Sequence, residues 1–339
     1  MSTLPLGKLP PDLLAQILAQ APVSDPRVLL GPGIGLDCAV LTFGDHCLVF
    51  KSDPITFAAE EIGWYAVQVN ANDIATTGAV PRWFLVTVLL PEGDTTAGSV
   101  QEIMAQVYRA CRSLGISVIG GHTEITYGLE RPIIAGTMVG EVPREDLITP
   151  QGATPGNRLL LTKGVPIEGT AILAREFPKK LGELLSPEEI RVASEYLYTP
   201  GISVLRDAAL AIQAGKVTAM HDPTEGGLSG ALWELAEACG HTLVIDPEAV
   251  MIPSLAHRIC RVLEINPLET IASGALLLAA PQKDAPLICR TLQAEGIPCA
   301  EIGTVEAGPP RVMQPAPKGL IPLPRPARDE IARLFEIKL

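Results

Sequence analysis

His221-Asp222-Pro223-Thr224-Glu225-Gly226-Gly227-Leu228 stands between an apolar run, Val217–Met220, and an amphipathic one, Leu228–Cys239. The first run reads as a strand and the second as a helix, so the stretch is a strand-to-helix turn carrying acids and paired glycines. Ligands commonly meet α/β proteins at such turns, because a helix start presents unpaired N–H groups and the positive end of its dipole. Asp222 alone is equally suited to be an N-cap.

Four other places carry acids or glycines beside strands. Gly35-Leu36-Asp37-Cys38-Ala39-Val40 leads from a flexible turn into a strand, and Lys51-Ser52-Asp53-Pro54 ends the next one. Asn72-Asp73-Ile74-Ala75-Thr76-Thr77-Gly78-Ala79 falls within or beside a helix spanning Glu60–Gly78. Gly120-Gly121-His122-Thr123-Glu124 follows a strand at Ile116–Ile119. Each has a plain reading: Asp37 and Asp53 as turn residues, His122 as a hydrogen-bonded imidazole, Gly31-Pro-Gly-Ile-Gly35 as a simple turn. Acids gathered at one cleft, however, repel unless a cation sits among them, and hard oxygen donors suit Mg²⁺. Lys51 and Lys163 would ordinarily be solvated, yet both end apolar strands, where they could neutralise phosphate. There is no G-x-x-x-x-G-K-[ST], so a nucleotide site here is not a P-loop.

The remaining pattern mixes strands and helices without strict alternation. Pro10 and Pro11 open a short amphipathic helix bearing Leu13, Leu14, Ile17 and Leu18. Cys38–Phe43 and Cys47–Lys51 form a hairpin about Gly44-Asp45, and Arg82–Leu90 and Ile133–Val142 are strands around a helix ending at Gly115. Pro143–Gly156 lacks periodicity and marks a boundary. The second half restarts at strand Arg158–Lys163, and its proline-rich section Pro309–Pro326 is expected to drape over the surface. The fold class is α+β (mixed α/β), with a helical extension at 1–29 and domains at 30–145 and 155–339.

Composition narrows the classes. Of 339 residues 47% are hydrophobic and 19% charged, enough apolar material for packed cores, and the net charge of −12 argues against nucleic acid as a partner. No apolar run reaches the roughly 18–20 residues of a membrane span, and no export signal is legible, so a cytoplasmic setting is expected. Seven cysteines, none in C-x-x-C spacing, fit reduced thiols, and no H-E-x-x-H or Cys/His cluster suggests zinc.

The order of the five motifs resembles the PurM-like (AIR synthase-related) ATP-binding superfamily, within it the HypE-like hydrogenase-maturation branch, from about residue 30 to 305. Asn266-Pro-Leu268 and Ser273-Gly274 are similar to a late glycine turn of that family. The resemblance implies a two-domain PurM-like fold and a homodimer paired through its N-terminal sheets. It implies Mg²⁺ on Asp37, Asp53, Asp73 and Asp222, and ATP against Gly35, Asn72, Asp73, Gly120, Gly121, Thr123, Gly226 and Gly227. Lys51, Asp53 and His122 take the catalytic places. The implied reaction is phosphoryl transfer from ATP to an oxygen of a small acceptor, with a maturation-protein partner possible. Alternatives are enzymes resembling thiamine-monophosphate kinase or selenophosphate synthetase, and an ATP-binding regulatory module.

Three positions depart from the family pattern. The terminal residues Phe335-Glu-Ile-Lys-Leu339 hold no cysteine, so modification of a terminal thiol, as in HypE, is not expected. Leu36 replaces the first of two adjacent acids, and Glu225 replaces an Arg beside the implied phosphate path.

Overall fold

A short helix, α1 (Pro11–Leu18), starts with proline in its first turn, where a missing N–H costs nothing. The computed structural model describes residues 4, 7–56, 58 and 60–338. The chain divides into two units: Val23–Gly31 with Asp37–Leu147, and Met1–Pro22 with Pro32–Leu36 and Ile148–Leu339. None of the described helices is long and apolar enough to cross a membrane.

The first unit is a six-stranded sheet: β1 (Val28–Leu30), β2 (Ala39–Phe43), β3 (His46–Ile55), β4 (Val80–Pro91), β5 (Ser117–Thr126) and β6 (Ile133–Pro143), in the order β1-β2-β3-β6-β4-β5. β4 and β5 run parallel; the other pairs are antiparallel. The β2–β3 hairpin turns at Gly44-Asp45, as its sequence predicts, with Phe43 opposite His46. Helices α2 (Ile62–Thr76) and α3 (Ala97–Leu114) accompany the sheet. α2 has nearly every residue buried, because glycines let its neighbours approach. A Cβ on Gly140 of β6 would lie 2.3 Å from Ile74 Cγ2, and one on Gly136 would lie 2.7 Å from Asn70 Nδ2.

β5 departs from the sequence expectation of a strand ending at Ile119. It continues to Thr126 because β4 offers a parallel ladder along that whole length. Gly121 makes this possible: its φ is +148° and a Cβ there would meet Val86 O at 1.9 Å. Two glycines normally interrupt a strand; here they let its backbone lie flush on its neighbour.

The second unit contains β7 (Asn157–Thr162), α4 (Ile167–Glu176), α5 (Pro178–Leu181), α6 (Pro187–Ser194), α7 (Leu205–Ala214), β8 (Ala219–His221), α8 (Gly227–Cys239), β9 (Thr242–Ile245), α9 (Ser254–Leu263), β10 (Leu277–Pro281), α10 (Ala285–Ala294), β11 (Cys299–Glu306), β12 (Arg311–Ala316), β13 (Gly319–Pro322) and α11 (Glu330–Lys338). Its sheet order is β13-β12-β9-β11-β7-β10-β8. β7 and β10 are near-continuous apolar runs because both their faces are covered. Leu228, Ala231, Leu232, Leu235 and Ala236 of α8 pack with Leu159, Leu161, Leu243, Ile245 and Leu277 of the sheet.

The proline-rich section does not simply drape over the surface. It adds β12, parallel to β9, and the edge strand β13. The β9 ladder uses Arg311–Met313, so Pro315 falls beyond it and removes no needed donor.

The close approach of α2 to β6 yields a direct test. Gly140→Val should destabilise the protein by about 1–3 kcal/mol through overpacking. Chemical denaturation measures this, and a loss below about 0.5 kcal/mol would show that α2 has room to move.

Candidate functional site

Lys51 and Asp53 are two apart on β3 and therefore project from one face of the sheet. Asp37 precedes β2, and Asp73 comes from α2, held close by the glycines of β6. Lys51 Nζ lies 3.0 Å from Asp73 Oδ2, 3.1 Å from Asp53 Oδ2 and 3.9 Å from Asp37 Oδ1. Burial alone would lower the Lys51 pKa, but Asp73, Asp37 and Asp53 outweigh it and hold the ammonium well above its usual range. The Asp53 backbone is itself clamped: Asn70 Oδ1 accepts its N–H at 3.0 Å and Asn70 Nδ2 donates to its carbonyl at 3.3 Å. Asn72 is buried one position before Asp73 on the same helix.

The glycine–histidine motif sits elsewhere on this sheet. Register runs from Asp53 to Gly136, Val86 and Gly121, and from Pro54 to Ala135, Thr87 and His122. Three strand spacings, about 14 Å, therefore separate Asp53 from Gly121. Gly120, Gly121, His122 and Thr123 lie exposed on the edge strand, with His122 Nε2 3.0 Å from Glu124 Oε2. Within one chain, the sheet does not bring His122 to the lysine cluster.

The remaining residues singled out in the sequence belong to the second unit. Asp222 is fully buried at the end of β8. Gly226 N–H donates to Asp329 Oδ2 at 2.7 Å, and Gly227 N–H to Thr224 O at 2.9 Å, so both glycine amides are engaged within the chain. Gly227, at φ +60°, also admits no side chain, since a Cβ would stand 2.6 Å from Leu268 O. Gly35 packs on α8, where a Cβ would meet Glu234 O at 2.5 Å. His221 Nε2 is 2.9 Å from Glu234 Oε2. Burial works to raise the Glu234 carboxyl, but Lys8 and His221 prevail and hold it at about 2. Burial pushes Asp329 and Glu168 up to about 7.

Lys163 is buried rather than solvated, donating to Ser203 O at 2.5 Å and lying 3.1 Å from Asp207 Oδ2. Burial outweighs Asp207 and lowers its pKa. Sequence reasoning overlooked Asn70, Asp207, Glu234 and Lys8. Asn70 carries a usable signal, a polar residue three positions before Asp73 in an apolar helix; the others share no local pattern with their partners.

The cluster around Lys51 offers the hard oxygen donors that suit a divalent cation. Three carboxylates from three segments already converge on a small cationic head, and one ammonium cannot balance three negative charges.

The fold and this acidic centre define a class of two-unit α/β proteins with carboxylates gathered about a sheet. Residues 35–142 match the family described as "AIR synthase related protein, N-terminal domain", and residues 154–314 match "AIR synthase related protein, C-terminal domain". The chain belongs to the AIR synthase-related (PurM-like) family. It is 29% identical over 265 residues to the carbamoyl dehydratase HypE of Azotobacter vinelandii, covering 77% of this chain and 74% of that one. It is 26% identical over 279 residues to HypE of Escherichia coli, covering 80% and 79%. The solved structure of HypE in complex with ATP shares its fold at TM-score 0.70 and 21% identity, over 94% of this chain and 91% of that one. A HypE–HypF complex gives TM-score 0.71 at 19% identity, over 86% and 94%.

Removing the central ammonium tests the cluster. Lys51→Met should cost about 2–4 kcal/mol at pH 7, since buried Asp73 and the partly exposed Asp37 and Asp53 lose their counter-charge. With the folded pKa above 10.5, the Lys51 contribution is complete below that pH and fades as pH rises through the raised value. The deficit of the variant in denaturation experiments should therefore shrink in alkaline solution; a deficit independent of pH would mean lost packing alone.

Proposed function

We propose that the protein binds Mg-ATP and transfers its terminal phosphoryl group to an oxygen of a small acceptor. The observation that carries this is the convergence of Asp37, Asp53 and Asp73 on one cationic centre. These three residues would hold Mg²⁺, which supplies neutralisation of phosphate charge when bound. Lys51 balances part of the carboxylates' charge, and Asn70 fixes the backbone of Asp53. The family membership and the ATP-bound HypE neighbour support the nucleotide. HypE relatives are carbamoyl dehydratases, so an amide-type oxygen is the acceptor most in keeping with them. An ATP-binding module without turnover is the second reading, favoured by Leu36 and Glu225.

A homodimer and a maturation-protein partner complete the proposal, the latter by analogy with the HypE–HypF complex. β5 is exposed along nearly its whole length, with Ile119 56% and Ile125 60% exposed. It pairs with β4 on one side and presents its other edge as a template for a second chain.

Mg-ATP at a hundredfold excess over Kd should raise the melting temperature by about 4 °C. Asp53→Asn should abolish that rise while leaving the fold intact; no rise in the native protein would refute the nucleotide. ADP release then separates an enzyme from a non-hydrolysing module. For the dimer, Ile119→Lys with Ile125→Lys should yield monomer in light scattering, and an unchanged mass would move the interface away from β5.

A further inference from the structure

Two thiols of the second unit meet where α10 turns back into β11. α10 buries Ala285, Ile288 and Leu292, and Cys289 stands at the margin of that stripe, half-buried. The return that follows is tight. Gly296 takes a φ of +77°, Ile297 N–H donates to Leu292 O at 2.9 Å, and Gln293 Nε2 donates to Cys299 O at 2.8 Å. Cys299 therefore opens β11 directly beside the helix. Both cysteines carry free thiols, and their Sγ atoms lie 3.1 Å apart.

The two sulfurs are not equivalent. Cys299 is 4% exposed, whereas Cys289 is partly open to solvent. A hydrogen bond from the Cys299 S–H outweighs burial and the charge of Glu301, and holds the Cys289 thiol below its usual range. The same bond, together with burial, raises Cys299. The other thiols lack this combination. Burial pushes Cys47, Cys111, Cys239 and Cys260 up, and Cys38 is buried. Cys239 is also partly open to solvent, but its sulfur lies 3.6 Å from Ala236 O. A thiol that is accessible, shifted towards thiolate and in contact with a second thiol meets the requirements of a redox-sensitive pair.

We propose that Cys289 and Cys299 are a reversible redox site, in which hydrogen peroxide oxidises Cys289 and Cys299 then closes a disulfide between α10 and β11. In the first step the Cys289 thiolate attacks one peroxide oxygen. An S–O bond forms, the O–O bond breaks, and the departing oxygen takes up a proton and leaves as water. In the second step Cys299, giving up its proton, attacks the sulfenic sulfur of Cys289. The S–S bond forms, the S–O bond breaks, and a second water leaves. The two thiols lose two electrons and one peroxide gains them. Closure requires the sulfurs to approach by about 1 Å. β11 pairs with both β7 and β9, so oxidation fastens α10 to an interior strand of the sheet. The site is independent of the Mg-ATP reading.

The test exposes the reduced, full-length protein to a modest molar excess of hydrogen peroxide. Alkylation in denaturant then counts the remaining thiols, and mass spectrometry maps linked peptides. The native chain should lose two of its seven thiols, yield a Cys289–Cys299 cross-link and recover both thiols with dithiothreitol. Cys299→Ser should stop at a sulfenic acid on Cys289, trapped by dimedone. Cys289→Ser should keep all its thiols under the same exposure, and Cys239→Ser should form the cross-link as the native chain does. Retention of all seven thiols by the native chain, or a cross-link between other cysteines, overturns the proposal. Dimedone on Cys299 in Cys289→Ser, at the rate seen for Cys289 in Cys299→Ser, overturns the assignment of Cys289 as the residue attacked first.

Discussion

The first unit depends on an ammonium ion buried among carboxylates. Lys51 is taken out of water on β3, a step that is costly unless opposite charges are fixed close by. Asp53 is fixed by β3 and the Asn70 clamp, and Asp73 by a helix packed without clearance on β6. Charges held in place by backbone and packing need little reorganisation when a ligand's charge arrives, which is the physical basis of electrostatic preorganisation. The same rigidity explains why polar residues are tolerated in α2. Asn70 faces both the N–H and the carbonyl of Asp53, a partner that the sheet has already placed.

Glycine sets the spacing of that arrangement. Gly136 and Gly140 admit α2 to the surface of β6, and Gly121 admits β5 to β4. In the sequence Gly120-Gly121 reads as the end of a strand, because glycine weakens an isolated strand, whereas Gly136 and Gly140 fall inside the expected strand Ile133–Val142. In the sheet they remove Cβ atoms where another backbone or side chain must pass. The misreading of Ile119 as the end of a strand follows from this: local propensity sees Gly120-Gly121, whereas the tertiary ladder with Val86 decides.

The strand–helix order, the β2–β3 hairpin and the mixed fold class were legible because hydrophobic periodicity is a local property. Asp37, Lys51, Asp53 and Asp73 could be singled out because each stands beside a strand, turn or glycine that marks its place. The cation that neutralises them was harder to read: Lys51 looked like a residue reaching for phosphate, and its three contacts join segments that periodicity cannot bring together. Lys8 and Glu234 were invisible for the same reason, being 226 positions apart. The proline-rich section misled through composition. Pro315 falls outside the β9 ladder, so proline content overstated the obstacle to strand formation.

The two units meet excess acidity in different ways, and the difference bears on what each can do. On β3 the compensating charge is carried by a side chain 10% exposed, on a central strand, with contacts of 3.0 and 3.1 Å. Such a charge cannot readily exchange partners; it maintains an electrostatic field. At the turn before α8 the charge arrives on a distant, half-exposed side chain with contacts of 3.4 to 4.0 Å. Long contacts in a partly solvated setting gain little Coulomb energy, so exchanging one anionic partner for another costs little. The buried lysine holds its carboxylates in a fixed arrangement, and the exposed one is held loosely.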